Sequence, residues 1–234
     1  MDSNGTLLID QIIQSRYAAR AFLDKPVEPQ LIRDILTISS RAPSGTNTQP
    51  WKVYVVSGQK RNELVAEVYQ AQKKIFEQPD IAKQYQESFA YYPKVWQQPY
   101  LNRRKENGAW LYGLLKISKN DQTKMQAQLL HNYEFYGAPV GLFFTVDRSL
   151  GIGSKMDISM MMQNVMLSAK ARGLDTCPQA AWNKFHSIVL SHLNADENEE
   201  LVCGMALGYA DPSHIINISQ TTRVPLEEFA IFLD

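Results

Sequence analysis

Apolar positions recur along this chain at two periods, and the switches between them mark out its elements. Leu8, Ile12 and Ile13 fall at helical spacing, with Asn4 or Thr6 placed to cap the helix they imply. Arg16 to Arg20 lies at or past its end. Pro26 and Pro29 bracket a turn, and Leu31, Ile35 and Ile38 then mark one face of a second helix, ending before Pro43. The alternating run Trp51-Lys-Val-Tyr-Val-Val56 predicts a strand at 52–57. Gln59 to about Gln78 predicts a helix with Leu64, Val65 and Val68 inward.

The region 80–120 shows no regular period. It is rich in aromatics and charge, and Pro93 and Pro99 break long helices. Gln122 to Tyr136 is helical again, and Gly141-Leu-Phe-Phe-Thr-Val146 is a continuous apolar run suited to a central strand. Met156 to Arg172 places Ile158, Met162, Val165, Met166 and Ala169 on one face. That is a core helix, stopped by Gly173. Leu201 to Leu207 is another buried strand. Pro225 to Leu233 carries Leu226, Phe229, Ile231 and Phe232, which must wrap a partner subunit or close this subunit's own core.

Helices and strands mix without a βαβ period, which predicts an α+β fold in a single domain over 1–234. Lys plus Arg and Asp plus Glu each number 24, so there is no basic excess of the kind nucleic-acid binding needs. A small anionic ligand needs only two or three local cations and stays open. Cys177 and Cys203 sit in apolar sequence and read as buried, reduced thiols. The four histidines are dispersed, and no Cys/His spacing suggests a metal site. The start of the chain lacks signal-peptide patterning, and no apolar run is long enough to span a bilayer, so a cytoplasmic protein without membrane partners is expected.

The most informative stretch chemically is Arg41-Ala-Pro-Ser-Gly-Thr-Asn-Thr-Gln-Pro-Trp51. Pro43 and Gly45 supply turn chemistry among small hydroxyl and amide side chains, so backbone N–H groups there approach a ligand closely. There is no dinucleotide fingerprint, P-loop or nucleophile elbow, and no Ser/His/Asp set. If the chain is an enzyme, a cofactor carries the hard chemistry.

That loop follows Ser15-Arg-Tyr-Ala-Ala-Arg-Ala-Phe22, and the pair resembles the N-terminal signature of the FMN-dependent nitroreductase family. The resemblance continues at Gly173-Leu-Asp-Thr-Cys-Pro-Gln-Ala-Ala-Trp182, Gly204-Met-Ala-Leu-Gly-Tyr209 and Thr222-Arg-Val-Pro-Leu-Glu-Glu-Phe229. It implies a nitroreductase-like fold: a central, mostly antiparallel sheet flanked by helices, in an intertwined homodimer with FMN at the interface. Arg16 and Arg223 match phosphate-binding positions. Tyr17 and Ala18 lie between Arg16 and Arg20, and Ala18 has only its backbone to offer where some relatives carry a hydroxyl. Arg20 matches a cation near the flavin pyrimidine. Pro43, Ser44, Gly45, Thr46 and Asn47 would come from the other subunit. Gln49-Pro-Trp51 shapes the loop and packs the strand. Pro178, Gln179 and Ala180 would pass the flavin near N5, although an ordinary loop explains Ala180 almost as well.

The implied reaction is hydride transfer from NADH or NADPH to FMN, then to an electron-poor aromatic at the same flavin face, in ping-pong order. No side chain is assigned a catalytic role. Residues of about 70–120 resemble the variable insertion that lids the substrate cavity, in a subgroup labelled nitrobenzoate reductase. There Tyr92 and Trp96 would stack on a flat substrate, and Arg103 or Arg104 would pair with a carboxylate or an NADPH phosphate. A solvated helix face explains the same arginines. The resemblance also leaves open reduction of enones, quinones or halophenols, and a non-catalytic FMN-binding protein.

Overall fold

The computed structural model describes residues 3–218 and 220–233. In chain order its helices and strands are α1 (Ser3–Ser15), α2 (Pro29–Ser39), β1 (Lys52–Ser57), α3 (Gly58–Glu77), α4 (Tyr100–Leu114), α5 (Gln122–Asn132), β2 (Val140–Asp147), α6 (Ile152–Ala171), β3 (Asp175–Gln179), α7 (His186–His192), β4 (Glu199–Gly208) and α8 (Ile215–Ile218). The strands form one sheet in the order β1-β2-β4-β3, with every neighbouring pair antiparallel. The α+β expectation holds, and the apolar run at 141–146 is a central strand.

Both faces of β2 and β4 are covered, which is why these two strands read as continuous apolar runs. Leu142, Phe144 and Val146 pack with Ile32 and Ile35 of α2 and with Ile158, Met162, Val165 and Ala169 of α6. Phe143 points the other way, into a layer with Leu64 and Val68 of α3 and with Phe135, Trp182 and Phe185. The β2–β4 register shifts between Phe144 and Thr145, where Phe144 opposes Cys203 but Thr145 opposes Leu201. The extra residue, Val202, leaves Leu201 on the face opposite Cys203. A Cβ at Gly204 would run into the Trp182 indole, so the glycine of this strand is set by close approach of an aromatic ring.

Three expectations need correction, and one strand was unmarked in the sequence. Helix α1 already includes Asn4 and Thr6, so Thr6 stands inside the first turns and does not cap them; an apolar stripe locates a face, not a first residue. Helix α5 stops at Asn132, short of Tyr136, because Phe135 and Tyr136 adopt φ of 55° and 54° and turn their rings into the core. The region 80–120 contains a regular helix, α4, that buries none of its residues and so presents no stripe to read. Residues 175–179 form a strand despite Pro178, which is tolerated because β3 is a sheet edge. The stop at Gly173 is as expected: φ is 75°, Gly173 N–H donates to Lys170 O at 3.1 Å and Leu174 N–H to Ala169 O at 3.0 Å, the paired bonds of a Schellman cap.

The terminal segment does not close this chain's own core. Phe229, Ile231, Phe232 and Leu233 are 67%, 86%, 79% and 90% exposed. No described helix is long and apolar enough to cross a membrane.

Candidate functional site

The chain leaves α1 at Arg16 and runs extended alongside β3. Ala18 bridges Thr176 in parallel, and Ala19 N–H donates to Thr176 O at 3.0 Å. This extension of the sheet edge fixes the backbone from which Arg16 and Arg20 project. Asn217, buried in α8, secures it further. Its Oδ1 accepts from Arg20 N–H at 3.0 Å, while its Nδ2 donates to Ala21 O at 2.8 Å and Asp211 O at 2.9 Å. The Arg20 guanidinium donates through Nη1 to Ala18 O at 3.4 Å.

Arg16, Tyr17, Ala18, Arg20 and Arg223 line one cavity of about 600 Å³, closed further by Gln163 of α6, Asn107 and Trp110 of α4, and Gln220 and Thr221. Its size suits a small-molecule or cofactor site. Arg223 is oriented by its own loop: Nη1 donates to Thr221 Oγ1 and Thr222 O, both at 2.9 Å. No acidic side chain lines the cavity among the described residues. The Arg16 guanidinium is held below its ordinary pKa, first by burial and then by the charge of Arg223. Two cations therefore converge where an anion would relieve both. Burial, reinforced by Asp175, pushes the Tyr17 phenol up to about 12, so it remains a neutral donor. Burial likewise pushes the Cys177 thiol up to about 11, against the pull of Arg20 and Arg16, and the Cys203 thiol up to about 12. Neither is a thiolate nucleophile at neutral pH.

Pro178 is exposed at the edge of the sheet, while the Gln179 side chain turns inward and donates to Asn132 O and Oδ1 at 2.5 and 2.6 Å. Pro178 and the partly exposed Ala180 are the residues of this segment that reach the surface, while Gln179 is buried. The loop Pro43–Asn47 is elsewhere and lines no part of the Arg16 cavity in its own chain. It is a tight turn, with Thr46 and Asn47 at φ of 49° and 59°, tied to α6 by the Gly45 N–H donating to Asp157 Oδ2 at 3.1 Å. Trp51 packs on the core, as its place at the start of the strand suggested.

The aromatic residues of the 80–120 region form a chain. Tyr91 and Tyr92 meet edge-on at 4.7 Å, Tyr92 and Trp96 lie 5.4 Å apart, and the Arg104 guanidinium sits 5.1 Å from the Trp96 ring. Arg103 pairs with Glu228 at 2.9 Å beside a second cavity of about 690 Å³. That cavity shares Asn107, Trp110, Gln220, Thr221 and Arg223 with the first. Tyr92, Trp96 and Arg104 line neither cavity. Sequence reasoning missed Asn107, Gln163, Thr221 and Asn217. The only available signal was that Thr221 sits two residues before Arg223.

The fold is thus α+β, an antiparallel sheet with three arginines gathered at one edge. The Nitroreductase family matches residues 13–209, and the chain belongs to it. It is 36% identical to the chloronitrobenzene nitroreductase of Comamonas testosteroni over 96% of both chains. It is also 36% identical to the 4-nitrobenzoate reductase of Pseudomonas putida, over 96% of this chain and 95% of that one. Among solved structures, the FMN- and NADPH-dependent nitroreductase NfnB from Sphigopyxis sp. strain HMH superposes with a TM-score of 0.90 at 33% identity, covering 97% of this chain and 99% of that one.

Proposed function

We propose that this chain is an NAD(P)H-dependent FMN nitroreductase that reduces nitroaromatic compounds in ping-pong order. The observation that carries the reading is the convergence of Arg16 and Arg223 on one cavity with no carboxylate among its described lining residues, in a chain 36% identical to a nitrobenzoate and a chloronitrobenzene reductase. The residues fit FMN. Arg16 and Arg223 are placed for its phosphate, with Thr221 orienting Arg223. Arg20 would hold the pyrimidine edge, and the Pro178–Ala180 segment, exposed at Pro178, would pass the flavin. When bound, FMN supplies two-electron transfer between the nicotinamide and the acceptor.

The protein's own contribution is positioning and charge. Arg20, fixed through Asn217 and Ala18 O, would hold a permanent cation beside the bound cofactor and so favour its reduced, anionic form. Tyr17 and the two thiols stay protonated at neutral pH; no protein acid is needed, because water could supply the protons.

The functional unit in this reading is a homodimer. Leu8, Ile9 and Ile13 of α1 are 58%, 56% and 49% exposed, and Ile38 is 50% exposed beside a groove lined by Ile9, Ile12 and Leu167. Such apolar surface needs a cover. The partner copy would bring Pro43–Asn47 to the flavin and receive the Phe229–Leu233 segment. The chain would act as one domain, with the stretch of about 70–120 as its lid: Tyr92 and Trp96 are the aromatic platform, and Arg103 or Arg104 the carboxylate partner. A cytoplasmic location, where NAD(P)H is at hand, suits the two reduced thiols.

The test is anaerobic addition of NADPH or NADH to the purified protein, followed by a nitroarene. Flavin absorbance should bleach and then return. Bound flavin that resists both nicotinamides would favour a binding protein, and absence of flavin after FMN addition would remove the proposal.

A further inference from the structure

Asn183 has no exposed surface, and its amide bonds to Ser88 through oxygen and to the β4 backbone through nitrogen. It lies in the short turn Ala180–Phe185 that directly continues β3 beyond the proposed flavin-facing segment Pro178–Ala180. Its Oδ1 accepts from Ser88 N–H at 2.8 Å and from Ser88 Oγ at 2.9 Å, and its Nδ2 donates to Leu201 O at 3.3 Å. Ser88 is the root of the aromatic stretch that ends at Pro99. Its neighbours are also held. The Tyr85 ring is 5.0 Å from Phe185, in the same turn as Asn183, and Lys155 Nζ sits 5.0 Å from the Phe89 ring. Beyond Phe89 the loop is more exposed: Tyr91, Tyr92 and Val95 are 53%, 56% and 70% exposed.

We infer that Asn183 is a positioning residue that sets the aromatic lid over the cofactor-facing edge of β3, and thereby governs which acceptors the enzyme takes. This rests on the nitroreductase reading above. Three residues of chain reach at most about 10 Å, so a fixed Ser88 confines Tyr91 to one neighbourhood. That neighbourhood is the end of β3: Phe89, next to Ser88, packs against the core cluster that holds Cys203 and Met205 of β4, and Met205 pairs with Pro178 of β3. One amide thus ties the lid and the flavin-facing strand into a single rigid unit. The Ser88 N–H, in a segment without regular structure, has this one acceptor among the described contacts, so its loss leaves a backbone donor to find water by opening the loop.

The test uses the FMN-loaded protein with Ser88→Ala, Ser88→Thr and Asn183→Ala. Amide hydrogen exchange reads the lid directly, and the ratio of kcat/KM for nitrobenzoate to that for p-benzoquinone reads acceptor selectivity. Ser88→Ala should speed exchange across residues 89–97 and change the ratio roughly three- to tenfold, mainly through KM, with flavin content unchanged; this is the effect of one hydrogen bond. Ser88→Thr, which keeps the hydroxyl, should restore both. Asn183→Ala should exceed Ser88→Ala in both readouts, and if it does not fold, the Ser88 pair still decides. Unchanged exchange and an unchanged ratio in Ser88→Ala would overturn the inference. If the unaltered protein reduces p-benzoquinone but no nitroarene, the nitroreductase reading fails instead, while hydrogen exchange still judges the clamp.

Discussion

Arg16 and Arg223, from opposite ends of the chain, face the same cavity, and the charge of Arg223 helps hold the Arg16 guanidinium below its ordinary pKa. Like charges brought together in a half-buried site oppose folding unless the arrangement serves a ligand. The cavity is therefore a place where the fold carries unrelieved like charge. The surrounding structure supplies the compensation through Asn217, Thr221 and the Ala18–Thr176 bridge.

Glu199 is the corresponding stabilising charge. Its carboxylate accepts from Lys52 Nζ at 2.5 Å, Tyr54 OH at 2.7 Å and Thr145 Oγ1 at 2.6 Å, locking the strand that follows the Pro43–Asn47 loop onto β2 and β4. Burial pushes its pKa up, but the bonds from Lys52, Thr145 and Tyr54 outweigh this and leave it below the ordinary value. A depressed carboxylate contributes stability above its unfolded pKa and loses it as pH falls through the folded one. Glu199→Gln should cost about 1–3 kcal/mol at pH 7, and its deficit against the unaltered protein should shrink below about pH 4. Urea unfolding between pH 3 and 7 measures both.

Two glycines should respond in opposite directions to alanine. Gly204 faces the Trp182 indole, which would have to move, so Gly204→Ala should destabilise by about 1–3 kcal/mol. A Cβ at Gly108, inside α4, meets nothing within 4 Å, so Gly108→Ala should stabilise by up to about 1 kcal/mol. Thermal unfolding monitored by Trp fluorescence gives the sign of each.

Arg103 and Glu228 are 41% and 53% exposed at their side chains, so their pair is worth little to stability, about 0.5 kcal/mol. Glu228→Gln should leave the melting temperature nearly unchanged while freeing Arg103 toward the cavity. KM for nitrobenzoate should then fall relative to that for nitrobenzene. Replacing Arg103 and Arg104 together by Ala should raise the same ratio; equal effects on both substrates would exclude a carboxylate contact.

The central strands and the core helices were legible because β2, β4 and α6 bury contiguous or periodic apolar side chains. Helix α4 was not, because it buries no residue, and β3 was not, because Pro178 disguises an edge strand as a turn. Arg16, Arg20 and Arg223 were named through short motifs. Their assembly around one cavity depends on the Ala18–Thr176 bridge and on Asn217, contacts between segments far apart in the chain that no local pattern encodes. Asn183 was equally hidden, since its importance lies in a bond to Ser88.

The most direct measurement is the flavin content of the purified protein beside that of Arg16→Ala and Arg223→Ala, with circular dichroism as the check on folding. One FMN per chain is expected in the unaltered protein, and affinity should weaken roughly 10- to 100-fold in each variant, the loss expected for a charge-assisted phosphate contact. Well-folded variants that retain FMN as tightly as the parent would contradict the assignment of this cavity to the cofactor phosphate.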